Sequence, residues 1–146
     1  MSAEAVVRST DRSVAVGLAL RILVAVALMV DAVIHLRLAP TYQFAATDGI
    51  GMGNLFRLEA VVAIAAAVFV LARGSRAAYA LAFLVAASAF AAVVLYRYVD
   101  VPALGPLPSM YEPVWFFEKS LSAAAEGVGA VLAGLGLWKA RSRHIS

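Results

Sequence analysis

Cysteine is absent from the whole chain. Its absence removes disulfides, thiolate metal sites, iron–sulfur clusters and CxxC redox chemistry together. Charge is scarce: Asp, Glu, Lys and Arg make up 14% of the 146 residues, against roughly a quarter in soluble domains. Proline is sparse and uneven, with Pro40 alone before a cluster of Pro102, Pro106, Pro108 and Pro113. That cluster rules out a continuous helix over 98–113. No basic arm with interleaved aromatics occurs, so nucleic acid is excluded as a partner class.

What remains is apolar. Hydrophobic residues make up 64% of the chain and the mean hydropathy is +0.90, more than a soluble core can cover with a polar surface. A transmembrane helix needs about 20 mostly apolar residues to cross a hydrocarbon layer about 30 Å thick. Four segments qualify, at about 14–38, 54–72, 77–97 and 114–138. The first exceeds the apolar run of a signal peptide and no small-x-small cleavage site follows it, so it reads as a retained helix. Arg73-Gly74-Ser75-Arg76 forms a tight turn between the second and third segments, 39–53 reads as a loop opened by Pro40, and no soluble domain or internal repeat remains. The fold expected is an all-α, antiparallel four-helix transmembrane bundle.

The net charge of +3 is a topology signal. Arg8, Arg12, Arg21, Arg73, Arg76, Lys139, Arg141 and Arg143 fall on one side of the four segments. Arg37, Arg57, Arg97 and Lys119 fall on the other, close to helix ends. Lys and Arg collect on the cytoplasmic side, so both termini are expected there, in a multi-pass protein of the plasma membrane. Tyr42, Tyr96, Tyr98, Tyr111 and Trp115 then read as an outer aromatic belt and Trp138 as an inner one. Arg21, inside the inner end of the first segment, is expected to snorkel.

Ionisable residues inside a bilayer are costly and point to function by default. Asp31 and His35 sit one turn apart on one helical face, and Glu118, Ser122 and Glu126 form an i, i+4 stripe on the last segment. Glu59 and Arg57 open the second segment and Arg97 closes the third. At about 1.5 Å rise per residue, His35, Glu59 and Ser122 lie near a depth of about 5 Å, and Asp31 and Glu126 near about 10 Å. Arg57, Arg97, Glu118 and Lys119 form a rim. One histidine with two or three carboxylates (Asp31, His35, Glu59, Glu126) can hold a divalent metal such as Zn²⁺, Mn²⁺ or Fe²⁺. The same set can pass protons or hydrogen-bond a quinone or lipid head group, or its members can simply satisfy one another and fix helix packing. The ExxH pairs of four-helix di-metal proteins are missing. Gly127, Gly129, Gly134 and Gly136 give the last segment a small-residue face, suited to packing within the chain or to a homo-oligomer.

Several short motifs carry a resemblance. His35-Leu36-Arg37-Leu38-Ala39-Pro40, Leu55-Phe56-Arg57-Leu58, the proline-containing outer loop and Glu126 resemble small four-helix membrane proteins common in actinobacteria. More loosely, the architecture resembles DoxX-type four-helix proteins, some linked to quinone-coupled sulfur oxidation or redox complexes. The resemblance implies a redox-associated accessory role and assigns no catalytic residue. Several such proteins carry cysteines that this chain lacks, so a thiol-based role is unsupported. The function expected is therefore a non-enzymatic, accessory or structural membrane subunit with an outward-facing polar pocket and possible protein partners. The alternatives are a quinone- or metal-binding redox protein and a small oligomeric transporter.

Overall fold

The computed structural model describes residues 3–44 and 49–142. Four helices follow in order: α1 Ala3–Tyr42, α2 Met52–Arg73, α3 Arg76–Tyr98 and α4 Phe117–Ser142. Among the described residues the only extended pairing is two isolated bridges, Val101 with Met110 and Leu104 with Leu107. Each helix carries a stretch long and apolar enough to cross a membrane: Arg12–Tyr42, Met52–Arg73, Arg76–Tyr98 and Phe117–Arg141. Arg143, counted above with the basic tail, lies outside the described residues.

Helix α1 begins earlier than the apolar segment expected from about 14, α4 runs past 138 to Ser142, and two boundaries at the opposite end of the bundle also differ from the sequence expectation. The first loop opens after Tyr42 and not at residue 39, because α1 continues through Pro40. Proline there removes a single backbone donor, and the Gln43 amide resumes the helical pattern by donating to the Ala39 carbonyl at 3.0 Å. The last helix begins at Phe117 and not at 114. The Phe116 carbonyl accepts from the Ser120 amide at 3.0 Å and from its hydroxyl at 2.9 Å, which marks the first turn.

The α2–α3 turn forms as its composition requires. Gly74 takes a left-handed conformation (φ +52°) and its amide donates to Val70 at 2.9 Å, the C-terminal cap that glycine alone adopts without penalty. Ser75 caps α3, its hydroxyl accepting from the Ala78 amide at 3.3 Å. The Arg21 guanidinium packs against Gly74, so this cation sits at the carbonyl end of α2, where the helix dipole favours it.

Small residues fill the interior. Ala60, Ala63, Ala66, Ala67 and Val70 of α2 meet Ala78, Ala82 and Ala86 of α3, Val24 and Leu28 of α1, and Ala133 of α4. Large apolar residues such as Leu84, Val61 and Val131 point outward. Small inside and large outside is the pattern of helices that approach closely in lipid, where burying apolar surface from water gives no drive. The helices form a ring: α1 packs on α2 and α4, and α3 packs on α4, while α2 and α3 make the loosest adjacent pair. Beyond Ala86 no residue of α3 is buried. The α2–α3 packing therefore thins away from the Gly74–Ser75 turn.

The glycines of α4 are used within the bundle. Gly127 lies against Phe90, Gly134 against Phe83, Gly136 against the ring of Tyr79, and Gly129 between Ala27 and Ala86. The small-residue face thus meets α1 and α3. A Cβ at Gly136 would overlap the Tyr79 ring, whereas one at Gly17 meets nothing within 4 Å. Gly136→Ala is expected to destabilise by about 1–3 kcal/mol through overpacking, and Gly17→Ala to be neutral or to gain up to about 1 kcal/mol. Thermal unfolding in detergent checks the pair, and equal midpoints would contradict this packing.

Candidate functional site

Spacing and helix packing together build the polar site. The i, i+4 step on α1 brings His35 Nδ1 to 2.9 Å from Asp31 Oδ1, and to 3.1 Å from the Asp31 carbonyl. The α1–α4 contact brings the stripe on the last helix to the same place. The Ser122 hydroxyl stands 2.7 Å from Asp31 Oδ1 and 3.0 Å from Glu126 Oε1. Asp31, Ser122 and Glu126 are all buried, at 2%, 4% and 3% exposure. A hydroxyl has one proton to donate, so Ser122 satisfies one of the two carboxylates at a time. Glu126 Oε2 is also buried and has no hydrogen-bond partner among the described residues. That single proton leaves Glu126 Oε2 without a donor, while Asp31 has both His35 and Ser122 beside it.

Beside the cluster lies a cavity of about 560 Å³, within the range of roughly 300–1,000 Å³ typical of small-molecule sites. His35, Glu59, Ser122 and Glu126 form part of its wall, facing Leu55, Phe56, Val93 and Met110. Its space lies between the first turns of α2 and the last turns of α3, where their packing thins. Glu59 Oε1 is a second buried oxygen with no partner among the described residues.

The segment after α3 covers this space. Val101 and Met110 exchange backbone hydrogen bonds at 3.2 and 3.0 Å, and Leu104 and Leu107 do so at 3.0 Å, forming a small hairpin. The Ile50 amide donates to Pro106 and the Glu112 amide to Tyr96, both at 2.9 Å. Tyr42 donates its hydroxyl to Glu112 Oε2 at 2.7 Å, and the Lys119 ammonium donates to the Glu112 carbonyl. Phe56 stands between His35, edge-on at 5.0 Å, and Tyr42, at 4.9 Å, and so fixes the imidazole plane.

The expected site residues therefore separate. Asp31, His35, Ser122 and Glu126 come together, and Glu59 faces the shared cavity. Arg57 is exposed and bonded to Gln43 and Asn54. Arg97 stacks over Tyr98 at 5.0 Å, and Glu118 occupies the first turn of α4, where the helix dipole favours a carboxylate. None of these three lines the cavity. Lys119, expected at the rim, is buried and lines it, and Tyr42 and Tyr96, expected in an aromatic belt, line it too. Glu112 was not anticipated, because its role depends on the hairpin folding back.

Against family models, curated proteins and solved structures alike, the chain finds no match.

Asp31→Leu is expected to cost about 3–5 kcal/mol, because it strands a buried partner. Ser122→Ala and Tyr42→Phe should each cost about 1 kcal/mol, one net hydrogen bond. Glu59→Leu, which removes an oxygen with no partner, should cost little or stabilise. Unfolding midpoints of the four variants give the ranking, and a Glu59→Leu loss matching that of Asp31→Leu would contradict it.

Proposed function

We propose that this chain is a multi-pass protein of the plasma membrane, an antiparallel four-helix bundle with both termini in the cytoplasm. We further propose that it serves as an accessory subunit holding a quinol-class amphiphile. The carrying observation is the cavity: an apolar wall that ends in two buried carboxyl oxygens, of Glu59 and Glu126, with no donor to meet them. Both are acceptors, so a fitting head group brings hydroxyl donors. A hydroquinone offers two such donors on a flat ring, beside Phe56 and Tyr96. A phosphate head group brings more acceptors and is repelled.

The Lys/Arg distribution supports the orientation. It puts the Gly74–Ser75 turn inside and the hairpin and cavity on the outer side. The thin α2–α3 packing beside the cavity favours entry from the outer leaflet. A place beside a redox assembly, as DoxX-type proteins would have, is part of this proposal. Transport by a single copy draws no such support, because the alanine-rich core with Val24, Leu28 and Val70 fills the half beyond the cavity.

Two experiments test the reading. The chain has no cysteine, so Gly105→Cys should label with an impermeant maleimide on intact cells and Ser75→Cys only after lysis; the reverse overturns the topology. Protein purified in mild detergent should yield a quinone or quinol in its organic extract. Ala89→Phe, which fills the cavity wall, should remove that yield without unfolding the protein. A clean extract from the parent chain, or an undiminished yield from the variant, would sink the quinol assignment.

A further inference from the structure

We propose that Asp31, His35 and Glu126 bind one first-row divalent cation, with Ser122 as a positioning hydroxyl. This site stands on the α1–α4 cluster; it shares Glu126 with the cavity wall and takes its ligands whether or not the cavity is filled. One ligand atom from each of the three residues lies within 4.8 Å of the others, so a small adjustment lets all three reach one centre. His35 Nδ1 and Asp31 Oδ1 are already 2.9 Å apart. Two donors bound at about 2.1 Å, at right angles around one ion, stand about 3 Å apart.

Charge supplies the second argument. Two carboxylates buried on apolar helices are expensive unless compensated, and the single proton of Ser122 compensates one hydrogen bond. A divalent cation with two carboxylates and a neutral imidazole leaves the site with no net charge. The third argument is Glu126 itself, 3% exposed, whose Oε2 has no partner among the described residues. A metal ion provides that partner. The other residues around the cavity add two carboxylates, Glu59 of α2 and Glu112, which accepts from Tyr42, and one cation, Lys119, which is held on the Glu112 carbonyl. None of these bonds to Asp31 or Glu126, whose partners are His35 and Ser122.

The donor set also selects the ion. Imidazole with carboxylates suits Mn²⁺, Fe²⁺ and Zn²⁺ more than Ca²⁺, and the lack of thiolate disfavours Cu⁺. The cavity side leaves coordination positions for water.

The test uses the full chain in detergent, stripped with a chelator and titrated with Mn²⁺. Loss of the free-ion paramagnetic resonance signal should reach one ion per chain, and Zn²⁺ should displace Mn²⁺, as the stability order of the divalent ions requires. Glu126→Gln and Asp31→Asn should each weaken binding by more than the about 10–100-fold that outer-shell changes cost, and Glu118→Gln should leave it unchanged. Should either variant fail to fold, the parent chain still decides: bound Mn²⁺ should show electron spin-echo modulation from a directly coordinated imidazole nitrogen. No stoichiometric binding, binding insensitive to Glu126→Gln and Asp31→Asn in folded protein, or bound Mn²⁺ without that nitrogen would each overturn the site. Metal without quinol fails the cavity reading alone, and quinol without metal fails this one alone.

Discussion

The Ser122 hydroxyl between Asp31 and Glu126 ties the last helix to the first by a polar contact in an apolar interior. The positions of both helices must serve this contact. Close approach comes from small residues: Gly129 fits between Ala27 and Ala86, and a larger residue there would push α4 outward. Moving α4 would carry Ser122 away from Asp31 and leave more buried oxygens without partners. Packing and polar chemistry are therefore one constraint, set by the same turns of α1 and α4.

The cavity follows from a second balance. The Gly74–Ser75 turn holds α2 and α3 together at one end, and alanine continues that contact as far as Ala60 and Ala86. Past those residues Ser88, Ala89 and Ala92 of α3 and Leu55, Phe56 and Glu59 of α2 line a space between the two helices. The hairpin over 101–110 then covers the space, fastened through Glu112 to Tyr42, Tyr96 and Lys119.

Much of this was legible in the sequence, because lipid leaves few choices. Long apolar runs had to be helices, and Gly74 with Ser75 announced the turn. The i, i+4 steps put Asp31 with His35 and Ser122 with Glu126, and matched depths brought the two pairs together. Depth put Lys119 at the rim with Arg57 and Arg97, but depth fixes height along the bundle and not which way a side chain turns, and Lys119 turns into the cavity. Pro40 misled because proline in the last turn of a helix costs one hydrogen bond and need not end it. Glu112 and the hairpin gave no periodic signal; their placement depends on backbone pairing across a proline-rich segment.

The alanine interior has an entropic consequence. Alanine has no rotamers to lose on burial, whereas Met52, Leu55, Lys119 and Glu59 around the cavity lose a good deal when held in one arrangement. The alanines near the Gly74–Ser75 turn therefore order at almost no entropic cost, and the long side chains of the cavity half carry a larger share of it. Freedom is concentrated where an occupant would sit. Loading the site can stiffen that end while the helices keep their places, so the signature to expect is a change in side-chain order and little change in shape.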